Sequence, residues 1–266
     1  MADISAAQVK QLRDMTGAGM MDAKRALQET GGDLQDAVEL LRKKGMASAA
    51  KRADRATTEG IVLATVSGHV GTIVAVGCET EPVSKNEEFV AFAEKVLETV
   101  EGGGEVSSLE GERVELTAKL GENIVVAGAT RMEAGEGETI AEYVHVPANK
   151  LGVLLKVKGE NPAEARRLGM QVASGAPEYL RREDVPADAV AKEREILLGS
   201  DQVQSKPEQA REKIVEGMLN KRFYGAYPGG VLLDQPWIHD SGKTVAQAME
   251  EAGLEVVAFE RYSLAG

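Results

Sequence analysis

One cysteine, Cys78, serves the whole chain, so an internal disulfide is excluded and no cysteine pair exists for zinc or redox chemistry. That usage fits a reducing compartment. Aromatics make up only 4% of the residues, with a single Trp, so the core is expected to be aliphatic and Ala-rich. No apolar run approaches the roughly 18 residues that span a bilayer. The opening MADISAAQ has no basic segment followed by an apolar one, the pattern of a secretory signal. A soluble, cytoplasmic protein with no membrane partner is expected. Basic charge is also short, with 31 Lys and Arg against 43 Asp and Glu, a net of −12.

The charge deficit is uneven. Residues 1–55 carry ten basic and eight acidic residues, whereas the other 211 carry 21 and 35. A near-neutral head thus precedes a strongly acidic body. Such a body repels phosphate backbones, so direct nucleic-acid binding is not expected.

The head reads as three short helices. Ser5 and Gln8 form a capping-box pair before a helix carrying Val9 and Leu12 on one face. Thr16-Gly17-Ala18-Gly19 breaks that helix, a second runs from about Met21 to Glu29, and Asp33 caps a third after Gly31-Gly32. Leu34, Ala37, Val38 and Leu41 give the third an apolar stripe. Residues 1–45 are expected as one helical unit and 46–59 as an exposed, basic helical linker.

From Gly60 the texture turns to strands. Residues 61–66 and 72–76 flank a turn at 67–71, and a helix over 87–101 carries Phe89, Phe92, Ala93, Val96, Leu97 and Val100 on one face. A shorter helix near 112–120 leads into Ile124-Val125-Val126, with further strand-like runs at 139–146 and 151–158. Residues 70–76 echo 151–157, and each segment precedes an amphipathic helix, the second from Pro162 to about Ser174. Residues 121–126 likewise echo 253–257. Two related α+β halves, 60–147 and 148–266, are the natural reading, chance similarity of short apolar runs being the alternative. Charged helices at 187–199 and 207–222 are expected to form an antiparallel hairpin inserted in the second half. Val190, Ile196 and Leu197 would there face Ile214, Met218 and Leu219.

Motifs for catalysis fail. Gly17-Ala18-Gly19 lacks the third glycine and the preceding strand of a dinucleotide fingerprint. Gly242-Lys243-Thr244 resembles the end of a phosphate-binding loop, yet Trp237 stands where the first glycine belongs, so a helix start near 244 is the better reading. His69, His145 and His239 have no spacing that suggests a metal site. No enzyme, metal or cofactor is expected.

Two features lack a local structural excuse. Met20 and Met21 follow the Gly-rich turn beside Asp22, Lys24 and Arg25. Either both pack inside the bundle, or one is exposed as an adaptable contact. The segment from Cys78 to Asn86 runs from strand to helix, with Ser84 and Glu87 placed for a capping box. It is either an ordinary connection or a loop held at both ends to present a few residues.

The run from Leu12 to Leu27, LRDMTGAGMMDAKRAL, closely resembles the N-terminal signature of the bacterial elongation factor Ts family. Residues 78–89 resemble the family's second signature, and 119–123, 215–217 and 243–245 match further blocks in order. The resemblance covers essentially the whole chain. It implies a guanine-nucleotide exchange factor for elongation factor Tu. The implied fold has a ubiquitin-associated-like three-helix head, a two-subdomain α+β core and a helical hairpin. Arg13, Met20, Met21 and Lys24 match positions where the head docks on the GTPase. Thr80, Glu81, Pro82 and Val83 match the segment that disturbs the magnesium and phosphate site. His145 matches a position that anchors the second half of the core. The family commonly has Asp then Phe where this chain has Glu81 and Pro82, so an aromatic wedge is missing. A ubiquitin-associated-like adaptor that binds a partner without exchange is the alternative. A homodimer through the core or the hairpin is a further expectation.

Overall fold

The computed structural model describes residues 4–264. Helix α1 (Ala6–Thr16) opens with the Ser5/Gln8 capping box and stops at Gly17, whose φ of +66° is a conformation other residues avoid. Helix α2 (Met20–Glu29) starts one residue earlier than expected, and α3 (Leu34–Ala50) is capped by the Asp33 side chain, which accepts from the Asp36 amide at 2.9 Å. Val9, Leu12, Ala23, Ala26, Leu27 and Ala37 form the head's core, with Val38 and Leu41 packed against it.

The expected boundary at residue 45 falls inside α3, which continues without a break to Ala50. Nor is the head on a free tether. Gly45 of α3 sits so close to Ala118 of α6 (Glu110–Leu120) that an added methyl would lie 2.8 Å from the alanine side chain. Arg42 also approaches Glu115 at 3.7 Å. Small residues on the last turns of α3 let the two helices approach closely, which charge counting along the chain does not reveal.

The core begins with β1 (Glu59–Ser67) and β2 (Val70–Cys78), an antiparallel pair joined at Gly68-His69. The one-turn α4 (Glu81–Ser84), α5 (Glu87–Glu101) and α6 follow, and β3 (Val125–Glu133) returns beside β2. The second sheet holds β4 (Glu138–Val144), β5 (Leu151–Lys158) and β8 (Glu255–Ser263), in the order β4-β5-β8. Between β5 and β8 lie α7 (Pro162–Gly175), α8 (Ala187–Gly199), α9 (Asp201–Gln204) and α10 (Glu208–Met218). The short ribbon β6 (Pro236–Trp237) and β7 (Asp240–Thr244) and helix α11 (Val245–Glu251) complete the connection. The architecture is therefore α+β. Because β4 pairs with β5, the two halves meet between Glu133 and Glu138 by sheet membership, not near residue 148 as the echo alone placed it.

The echo has a structural counterpart. β2 and β5 are the central strands of their sheets, and each carries a register shift against its last partner, at Ala75/Val76 and at Lys156/Val157. Those positions align in the echo, and each bulge skips one residue of the partner strand. The two sheets pack on each other through Val62, Ile73, Ala75, Leu154 and Leu264. Their other faces are covered by helices. Val74, Val76 and Cys78 lie with Phe89, Phe92 and Val96 of α5, while Val153, Leu155 and Val157 lie with Leu168 and Val172 of α7. Burial on both faces explains why β2 and β5 read as continuous apolar runs instead of alternating ones. It also explains the glycines that open both repeats. A methyl on Gly71 would press on Ile140 and Leu154 at 2.5 and 3.0 Å, and one on Gly152 on Val62 and Ile73 at 2.6 and 3.2 Å.

The expected helical hairpin is α8 to α10, extended by a π-helical turn over Leu219–Tyr224. It has its own small core of Leu197, Val203, Val215, Met218 and Leu219. Ile196, expected in that core, is instead 56% exposed, because the adjacent Leu197 takes the inward position. Arg182 anchors the base, donating to Asp234 and to Asn220 at 2.8 Å and stacking 4.5 Å from the Tyr224 ring centre. Gly242-Lys243-Thr244 belongs to β7, where Thr244 caps α11 with Gln247, and Lys243 is engaged by Glu251 and Asp240.

Candidate functional site

The α2 positions that reach the head's core are filled by Ala23, Ala26 and Leu27. Met20 and Met21 are left outside at 62% and 63% exposure, so neither packs in the bundle, and Met15 joins them at 59%. Arg13 and Lys24 are exposed on the same two helices. The result is three flexible, polarizable side chains at the ends of two helices that meet in a glycine-containing turn, flanked by cations. Methionines of this kind adapt to a partner surface.

The turn between α1 and α2 is supported from the core. The aliphatic stem of Lys119, the penultimate residue of α6, lies against Gly17, where an added methyl would overlap it. The Lys119 ammonium continues to Glu88, 2.5 Å away in the first turn of α5.

The segment after β2 is held at both ends, though not by the expected box. Ser84 does not cap α5; its hydroxyl donates to the Glu81 carbonyl at 2.7 Å. Asn86 is the cap, accepting from the amides of Glu88 at 2.9 Å and Phe89 at 3.3 Å. An amide-bearing side chain one residue before α5 outcompetes Ser84, which is already committed to the α4 turn. Pro82 is the second residue of that turn, where its missing N–H costs nothing. Thr80, Glu81 and Pro82 are exposed, and Val83 is half-buried against the helical side of the first sheet. Glu81 pairs with Lys85 at 2.7 Å, which holds its carboxyl below the usual range.

The other end of the segment is clamped by residues not singled out individually from sequence. The Glu122 carboxylate accepts from the Glu79 amide at 3.1 Å, the Thr80 amide at 3.0 Å and the Thr80 hydroxyl at 2.5 Å. In return the Glu79 carboxylate accepts from the Asn123 amide at 2.7 Å and from Arg55 at 3.2 Å, and these bonds lower its pKa, the amide contributing most. The buried Asn123 side chain donates to the carbonyls of Ala53 and Arg55, so the supposed linker is pinned to the same clamp. A signal was present in the sequence. Gly121, with φ of +74°, ends α6, and a charged and an amide residue stand between that stop and a strand. Nothing local needs them there.

His145 lies in the β4–β5 connection, exposed, with Nδ1 2.8 Å from the Tyr143 hydroxyl. That connection is tied to β1. The Val62 amide donates to the Asn149 carbonyl at 2.6 Å, and Lys150 pairs with Glu59 at 2.5 Å. Lys150 in turn helps lower the Glu81 pKa, and Glu59 helps raise that of Lys85. The structure thus brings the segment 80–83 and the connection bearing His145 to one end of the two sheets, with the head's turn reached through Lys119. His69 and His239 lie elsewhere, and among the described residues no cluster of three His, Cys, Asp or Glu is placed to hold a metal. Among those residues, no helix is long and apolar enough to cross a membrane.

Comparison with known proteins agrees with this architecture. A family model described as Elongation factor TS matches residues 79–266. An elongation factor Ts of Saccharopolyspora erythraea is 44% identical over 280 aligned positions, covering 99% of each chain. One from Paenarthrobacter aurescens is 43% identical, over 98% of this chain and 99% of its own length. One from Aeromonas hydrophila is 40% identical, over 99% of this chain and 92% of its own. A match of this extent, through the head, the clamp and both sheets, means that the chain belongs to the elongation factor Ts family of translation elongation factors.

Proposed function

We propose that this chain binds elongation factor Tu carrying GDP and accelerates GDP release, so that GTP can rebind. The observation that supports this most is the rigid presentation of Thr80, Glu81, Pro82 and Val83 on a one-turn helix clamped at both ends. Release of this kind is negative coupling between two ligands of the GTPase. If the factor binds the nucleotide-free form more tightly, nucleotide weakens the factor by the same free energy. A coupling of about 3 kcal/mol already shifts affinity by roughly two orders of magnitude. In this reading Arg13, Met20, Met21 and Lys24 dock the head on the GTPase domain, and His145 supports contact by the core. Residues 80–83 supply the differential contact that disturbs the magnesium and phosphate site. The factor itself needs no acid, base, nucleophile, metal or cofactor, and it works in the cytoplasm without touching nucleic acid or membrane.

Pro82 stands where the family commonly has an aromatic residue. Its ring fixes its own backbone angle, so it acts as a smaller and stiffer wedge. Pro82→Phe is therefore expected to be tolerated. Glu81→Ala combined with Val83→Ala is expected to slow release about tenfold, the effect of losing roughly 1.4 kcal/mol of differential contact. Stopped-flow release of a fluorescent GDP from elongation factor Tu measures both, and an unchanged rate in the double variant would remove the loop from the mechanism. The exposed Pro82 also favours a second reading, an adaptor that binds without exchange; saturable binding with no acceleration of release would select it.

A further inference from the structure

We propose that Glu122 is a positioning residue for the exchange loop, and that residues 119–123 set the head and the loop in one frame. This rests on the exchange reading above. The downstream end of the loop is held by the Asn86 cap and by Val83 packed against the first sheet. Its Glu81–Lys85 pair is solvent-exposed, and exposed pairs of this kind contribute little. The Ser84 bond closes the helical turn but does not aim it. What aims its upstream end is the Glu122 carboxylate, which collects two consecutive backbone amides and a hydroxyl immediately before the turn. Hydrogen bonds to an ionised acceptor are the strong ones, and three to one carboxylate fix both position and rotation. Glu79 and the Asn123 amide close the clamp from the opposite side.

The same short segment holds the head. Lys119 places its stem under Gly17 and its ammonium on Glu88, at the far end of the loop. The head's methionine turn and residues 80–83 are therefore referenced to one structural element, the end of α6. A factor that docks by one surface and displaces ligands with another needs that fixed offset, because a loop free to swing would lose its contact energy to ordering.

The two arms predict different kinetic signatures, read by titrating the full chain in stopped-flow GDP release from elongation factor Tu. Glu122→Ala removes charge-assisted bonds and is expected to lower the maximal release rate about tenfold, with the half-saturating concentration changed less than about twofold. Glu122→Gln retains an oxygen for the two amides and an NH2 for the Thr80 hydroxyl, and is expected to keep most of the rate. Lys119→Ala is expected to raise the half-saturating concentration about fivefold at unchanged maximal rate. Amide exchange at Glu79 and Thr80 provides an independent readout: protected in wild type and the Gln variant, fast in the Ala variant. Unchanged maximal rate in Glu122→Ala, or equal loss in Ala and Gln, would overturn the proposal. Absent acceleration by the wild-type chain would instead remove the exchange reading, and unprotected wild-type amides at Glu79 and Thr80 would remove the clamp.

Discussion

Cys78 illustrates how a residue with no motif acquires a defined state from its surroundings. It is fully buried at the end of β2, and its thiol donates to the Thr80 carbonyl at 3.3 Å. Burial, with the nearby Glu122 carboxylate, pushes its pKa up to about 12. The folded chain therefore keeps the proton where an unfolded one would lose it. Stability from this group is complete below the ordinary value of 9.0 and drains away as pH rises toward about 12. The native thiol is expected to resist a disulfide reagent at pH 8 and to react fully once the chain is unfolded in denaturant; fast native labelling would contradict the burial. Gly17 and Asn123 belong to the same scale. A glycine at a helix end is readable as a stop, but only the packed structure reveals that Gly17 also makes room for Lys119.

At the scale of elements, periodicity located the longer helices and strands, because apolar spacing reports which face is buried, but not the short α4, α9, β6 and β7. α5, α8 and β5 span 87–101, 187–199 and 151–158 as expected. The echo placed β4 with the first half, whereas it pairs with β5, because which strand pairs with which depends on register between distant segments. The glycines opening the two repeats are the sharpest element-level consequence. Gly152→Val would drive a branched side chain into Val62 and Ile73 at the sheet–sheet contact, and overpacking of this kind costs about 1–3 kcal/mol. Gly111→Ala, where a methyl meets nothing, is expected to be neutral or slightly stabilising. Thermal melts of the two variants test this; equal melting temperatures would mean that the sheets do not pack through these positions.

For the whole molecule, charge and shape act together. The core and hairpin carry a net charge of −14, which residues 1–55 bring to −12 for the chain, while the basic stretch 42–55 lies on α3 and the turn that follows it. Part of that basic charge is occupied internally, by Glu39, Glu29, Glu115 and Glu79 with Lys43, Lys44, Arg42 and Arg55. The chain is expected not to retard transfer RNA or duplex DNA in gel mobility assays at about 0.15 M salt, where screening limits attraction to about 8 Å. Salt-sensitive retardation would reverse that reading.

The sequence by itself determined the α+β class, the capped three-helix head, the hairpin and the blocks that mark the family, because propensity, caps and apolar period are written in neighbouring residues. Met20, Met21 and the segment 78–86 stood out as features without a local structural excuse, while Arg13, Lys24 and the roles given to 80–83 came only from the resemblance. Only the tertiary structure decided that both methionines face outward, that the head rests on α6, and that Glu122, Asn123 and Lys119 join head to loop. Those outcomes depend on which side chain reaches an amide some forty residues away. Such a contact leaves no period in the sequence, since its partners are set by how the helices and sheets pack.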